Sequence, residues 1–163
     1  MPRLCLFQPD IAGNVGSMLR LAACLAVPCE VIGPCGFPWD DRRLRRAGMD
    51  YIDQTDYRFH TDWAAFGRWR EENLPKSRLI LLTTKGDGAL PDFTWSEGDL
   101  IILGRESAGA PEEVHQAADA RLRVPAAARS LNVATTAALA LGHAVNQLNA
   151  WPVNAPASNS AVS

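Results

Sequence analysis

Long apolar runs are missing from this chain of 163 residues: no stretch approaches the roughly 18 consecutive apolar residues of a membrane span. The N-terminus carries no signal-like apolar core followed by a small-residue cleavage site, so the cytoplasm is the expected compartment. Cysteine is scarce. Cys5, Cys24, Cys29 and Cys35 all lie in the first quarter and form no Cys-x-x-Cys pair, which speaks against a zinc ribbon or a thioredoxin-like site and leaves ordinary buried thiols of a reducing compartment. His60, His115 and His143 share no metal-ligand spacing with one another or with the cysteines, so no metal is expected. Neither sign of charge is in excess. A formal net charge of -2 argues against a polybasic, nonspecific nucleic-acid binder, while a local basic patch stays open.

What is present is the material for one compact domain. With 47% hydrophobic and 21% charged residues the chain can build a full core, and residues 1–151 are read as a single domain. The tail 152–163 has no charge and no periodicity, and is expected to be disordered. Short, continuously apolar runs at 4–7, 29–32, 79–83, 100–103 and 122–124 read as strands buried on both faces. Between them, 15–25, 41–47, 62–72, 111–118 and 130–148 read as helices. Such alternation predicts an α/β fold, a mostly parallel sheet flanked by helices. The last helix repeats Leu131, Ala134, Ala138, Leu141, Val145 and Leu148, a seam that packs either on the protein's own sheet or on a second copy.

Three polar segments, the first two of them glycine-bearing, follow predicted strands. The first, 8–20 (QPDIAGNVGSMLR), is neither a dinucleotide fingerprint nor a Walker loop; Asn14 caps a helix or faces a ligand, and Arg20 lies about two helical turns further on. The second, 104–111 (GRESAGAP), offers Glu106 as a ligand-facing carboxylate or as a loop acid at the start of a helix. In the third, Ser130 and Asn132 stand at the mouth of an apolar helix whose first-turn N–H groups are a natural receptor for a polar ligand. The three converge on one site if the strands before them are neighbours.

Together these segments resemble the three signature motifs of the SPOUT RNA methyltransferases, in the TrmH-like branch that methylates ribose 2′-hydroxyls. The segments 37–51 (FPWDDRRLRRAGMDY) and 82–86 (LTTKG) resemble the TrmL-like subfamily, which acts on the wobble nucleotide of tRNA. The likeness covers about residues 3–151. It implies a C-terminal deep trefoil knot, a homodimer formed through the C-terminal helix, and S-adenosyl-L-methionine bent among the knot loops. By the same resemblance Leu82, Gly104, Val124 and Ser130 fall on cofactor-contact positions. Asn14, Arg20, Glu106 and Asn132 fall on the polar positions around substrate and methyl donor, with Arg20 facing the other subunit's cofactor. The chain departs from the pattern in the short, alanine-rich loop 125–129, at Arg105, where proline is common, at Ala108, where a basic residue is common, and at Gly142.

Arginine has a pKa above about 12 and is a poor base, so Arg20 is read as orienting the hydroxyl or phosphate and stabilising developing negative charge, with Glu106 in support. Arg42, Arg43, Arg45 and Arg46, with Trp39 nearby, are either a solvated, salt-bridged face or a tRNA-facing patch; the resemblance favours the latter, and Lys85 is a weaker candidate for the same surface. The implied activity is transfer of a methyl group to a tRNA ribose 2′-hydroxyl. Another tRNA or rRNA site, or a non-catalytic RNA-binding homologue, is the alternative.

Overall fold

Short runs of leucine, isoleucine and valine extend into strands because both of their faces find apolar cover. The computed structural model describes residues 1–46, 50–127 and 129–153, with the side chains of Arg43, Arg46 and Asp50 outside that set. Seven strands form one sheet: β1 (Arg3–Phe7), β2 (Cys29–Ile32), β3 (Tyr57–His60), β4 (Leu79–Leu82), β5 (Gly88–Ala89), β6 (Leu100–Leu103) and β7 (Ala120–Arg123). Their order is β3-β2-β1-β6-β4-β7-β5, and every pair is parallel. The helices are α1 (Ala12–Cys24), α2 (Asp41–Arg46), α3 (Trp63–Asn73), α4 (Glu112–Ala117) and α5 (Val133–Gln147), with 3-10 turns at Asp50–Gln54 and Leu90–Asp92. Among the described residues no helix is long and apolar enough to cross a membrane.

The two-residue period of a strand sorts the core into two layers. Leu4, Leu6, Ile80, Leu82, Ile101 and Leu103 face α1 and α5, whereas Cys5, Phe7, Leu79, Leu81, Leu100 and Ile102 face Phe66 of α3 and Val114 of α4. The expected architecture is therefore present, with two strands more than the five read from sequence. β3 was missed because Tyr-Arg-Phe-His buries only His60 well and lies at the sheet edge, and β5 because it is two residues long. β7 ends at Arg123, one residue earlier than expected, and begins at Ala120.

α5 starts at Val133 rather than at Ser130, because Asn132 is its cap. It buries Ala137, Ala140, Leu141, Ala144 and Val145, a stripe rotated from the expected seam; Leu131 and Ala138 are exposed, and Ala134 and Leu148 are only partly covered. A helix this rich in alanine carries apolar residues nearly all round, so spacing alone did not fix which stripe meets the core. One polar group is sealed beneath α3: Glu30 accepts from Arg3 Nη1 at 2.6 Å and pairs with His60 Nε2 at 2.7 Å.

Two cysteines depart from the expectation of burial. Cys24 is exposed and Cys35 is half-buried, while Cys5 and Cys29 are buried, and burial pushes both of their thiol pKa values up.

Candidate functional site

The loops leaving the C-terminal ends of β1, β4, β6 and β7 enclose a cavity of about 720 Å³, a size within the roughly 300–1,000 Å³ typical of small-molecule sites. The strands before the three polar segments are not all neighbours. β1 and β6 are adjacent, but β4 separates β6 from β7 and contributes its own end, Leu82 with Thr83 and Thr84, to the wall. Leu82, Gly104, Val124 and Ser130 all line the cavity, as do Asn14, Glu106 and Asn132. Gly104 has no room for a side chain, since a Cβ there would meet the backbone of Gly109 and Ala110 at 2.6 Å. Gly86 is under the same constraint: a Cβ would meet the Leu122 carbonyl carbon at 2.5 Å, so this loop presses directly on β7.

A chain of hydrogen bonds joins the three segments. Asn14 Nδ2 donates to Glu106 Oε1 at 3.1 Å, and Asn132 Nδ2 donates to Asn14 Oδ1 at 3.1 Å. Asn132 Oδ1 in turn accepts from the N–H groups of Ala134 at 2.8 Å and Thr135 at 3.3 Å. Each amide thus has its donor and acceptor ends assigned by its partners. The first-turn N–H groups of α5 are accordingly not all open to a ligand, because the segment's own asparagine takes two of them.

The second oxygen of Glu106 accepts from Asp10 N–H at 3.0 Å, and Asp10 Oδ1 accepts from Glu106 N–H at 3.1 Å. The Ser107 hydroxyl donates to the other Asp10 oxygen. Hydrogen bonding with the Glu106 side chain, then with Ser107, holds the Asp10 carboxyl down from its ordinary 3.8 to about 2. Close by, burial first and the charge of Glu106 second push the Cys35 thiol up to about 11. Both oxygens of Glu106 therefore hold neighbouring segments in place.

The model of the SpoU rRNA Methylase family matches residues 1–142. The chain belongs to that family. A tRNA (cytidine(34)-2′-O)-methyltransferase of Beijerinckia indica subsp. indica is 50% identical over 149 residues, covering 90% of this chain and 92% of that protein. The protein of the same name from Escherichia coli K12 is 36% identical over 152 residues, with 91% and 94% covered. A solved structure described as giving insights into "the 2-OH methylation of C/U34 on tRNA" superposes with a TM-score of 0.82 at 36% identity, over 91% of this chain and 97% of that one. A Bacillus anthracis putative RNA methyltransferase superposes at 0.83 with 30% identity, over 95% and 99%.

Other candidates stand apart from the cavity of this SpoU-family chain. Arg20 is exposed on α1 and is not part of the lining; its guanidinium lies 4.6 Å from the centroid of the Tyr51 ring. Arg42 is exposed on α2, and Arg45 is held by Asp53, Nη2 to Oδ1 at 2.6 Å, a contact that raises its pKa. The Arg43 and Arg46 side chains lie outside the described residues. Lys85 is exposed in the loop after β4. Trp39 packs into an aromatic group, stacked on Phe59 at 5.3 Å and tilted against Tyr57 at 5.8 Å. Tyr57 donates its hydroxyl to Asp41 at 2.7 Å, and burial followed by that bond pushes its pKa up to about 12.

Sequence reasoning missed Thr83, Thr84, Arg105, Arg123 and Arg129 as cavity residues. The two threonines had a signal, since they directly follow a buried strand. Arg105, inside the segment 104–111, and Arg129, directly before Ser130, had the signal of those segments; Arg123 had none beyond its place at a strand end.

Proposed function

We propose that this chain transfers a methyl group from S-adenosyl-L-methionine to the ribose 2′-hydroxyl of the wobble nucleotide of a tRNA, working in the cytoplasm as a homodimer. The observation that carries this reading is the hydrogen-bonded run Glu106–Asn14–Asn132 along the cavity wall, in a chain half identical to a tRNA (cytidine(34)-2′-O)-methyltransferase.

The residues present fit the cofactor. A cavity of about 720 Å³ accommodates it; Leu82, Leu103, Leu122 and Val124 offer apolar surface to a flat base, and Thr83, Ser130 and the Gly104 backbone offer polar contacts. Leu82, Gly104, Val124 and Ser130 would hold it. When bound, S-adenosyl-L-methionine supplies an already activated methyl group, so the protein's task is to bind, orient and exclude water. Glu106 fixes the Asn14 amide, which fixes the Asn132 amide, and together they keep one polar wall rigid. Arg20 stabilises the negative charge that develops on the attacking oxygen rather than taking its proton.

Arg20 stands outside the lining of its own cavity, and in the proposed dimer it reaches the cavity of the second copy. Exposed Ala138 and Leu139 on α5, with exposed Leu131 just before its cap, support that helix as the dimer contact. Insertion of β6 between β1 and β4, and of β7 between β4 and β5, supports a chain threaded late through earlier loops, as the proposed trefoil knot requires. Residues 1–151 act as one domain in this reading. Exposed Arg42 and Lys85, with Arg43, Arg45 and Arg46, contact the tRNA backbone, and Arg45 exchanges Asp53 for phosphate.

Calorimetric titration of the purified protein with S-adenosyl-L-methionine tests the first requirement. Saturable binding is expected. No heat at millimolar cofactor would end the enzyme reading in favour of a non-catalytic RNA-binding protein.

A further inference from the structure

Arg105 has no assigned task, yet its surroundings are unusual. It lines the cavity, and its backbone is fixed by paired bonds with Gly109, N–H to carbonyl at 3.1 Å and 2.8 Å. The guanidinium is poorly satisfied. Nη1 reaches Gln8 Oε1 only at 3.4 Å, and Nε is buried without a hydrogen-bond partner. A buried, unpaired donor on a cation is costly to keep, and such groups in native proteins are completed by a water, an ion or a ligand.

The charge balance of the cavity points the same way. Three arginines, Arg105, Arg123 and Arg129, line it against one carboxylate, Glu106, whose two oxygens are taken by Asp10 and Asn14. Arg123 is partly committed, donating to the Gly86 carbonyl at 3.1 Å, and Arg129 is exposed in the loop. Arg105 is the one of the three with a buried open donor.

We infer that Arg105 is an oxyanion-binding residue of the cavity, its Nε and an Nη donating to a carboxylate or phosphate oxygen of the bound reactants. Guanidinium suits this task through its planar fork, which pairs with two oxygens at once. The inference rests on the methyl-transfer reading, which brings two such oxyanions to the site: the carboxylate of the methyl donor and a phosphate beside the target ribose.

The test compares wild type with Arg105→Gln after circular dichroism has shown both folded. Three probes are titrated: S-adenosylhomocysteine, which carries the carboxylate; 5′-methylthioadenosine, which lacks it; and tRNA at several salt concentrations. If the carboxylate is the ligand, S-adenosylhomocysteine binds about ten-fold more weakly to the variant and methylthioadenosine is unchanged. If it is the phosphate, both small molecules are unchanged, tRNA binds more weakly, and the slope of log K against log salt falls by about one.

Affinities within two-fold for all three probes would overturn the inference, as would equal losses for the two small molecules, which mark a change of pocket shape. Should the glutamine variant fail to fold, Arg105→Lys, which keeps the charge but not the fork, is judged by the same pattern with about a three-fold loss. A wild-type protein that binds none of the probes overturns the methyl-transfer reading and this inference together; intact wild-type binding with a silent variant overturns this inference alone.

Discussion

Glu30 and Glu106 each anchor a polar network, in opposite surroundings. Glu30 lies within β2 at 1% exposure and holds Arg3 and His60, residues of the two flanking strands. Glu106 follows β6 and holds the Asp10 backbone and the Asn14 side chain, 96 and 92 residues away in sequence, at the wall of a cavity. The first network satisfies charges between strands that the sheet already aligns. The second ties together loops that the sheet leaves independent. The same residue type therefore serves the fold in one place and, in the proposed reaction, positions reacting groups in the other.

Removing each carboxylate sharpens the contrast. Glu30→Ala leaves Arg3 and His60 without their buried partner and is expected to cost about 3–5 kcal/mol by chemical denaturation, with methylation per folded molecule within about two-fold of wild type. A loss of activity that outruns the loss of fold would break the comparison from that side. Glu106→Ala is expected to do the reverse: methyl transfer falls on the order of 100-fold, as misplaced reacting groups commonly cause, while stability changes by about 1 kcal/mol. Steady-state kinetics beside a denaturation curve would read both.

Finer changes act inside the cavity network. Asn132→Asp keeps an oxygen that caps Ala134 and Thr135 but removes the donor to Asn14; helix stability should hold within about 0.5 kcal/mol while turnover drops about ten-fold. Equal turnover for this variant would show that the link between the first and third segments is dispensable. The smallest effect is expected for Asp10→Asn. Because folding lowers the Asp10 pKa from 3.8 to about 2, its contribution is complete above 3.8 and fades as pH falls through 2. The asparagine variant should show a shallower loss of stability between about pH 4 and 2 in acid titrations, and an unchanged slope there would remove the proposed Asp10 bonds.

Much of this arrangement was legible in the chain. Leu-Ile-Leu-Leu and Leu-Ile-Ile-Leu read as buried strands because their hydrophobicity is continuous, and the polar segments after strands marked the cavity before its walls were known. The edge strand β3 and the two-residue β5 were not legible, since neither shows a buried run. At the site, Asn14, Glu106 and Asn132 were named, but the order in which they bond depends on which loop faces which. That is a property of the sheet order, where β4 intrudes between β6 and β7. Arg105 was noted only as a departure from a family pattern; its buried Nε emerges only once Gln8 and Gly109 are seen around it.

Nucleotide-resolution mass spectrometry of tRNA, incubated with S-adenosyl-L-methionine in the presence and absence of the purified protein, tests the functional reading most directly. Ribose methylation that appears at the wobble nucleotide only when the protein is present, and is abolished by Arg20→Ala while cofactor binding stays nearly intact, is the predicted result. Methylation at a different nucleotide would contradict the assigned substrate, and a tRNA ribose left unmethylated by a protein that binds both reactants would contradict the reaction itself.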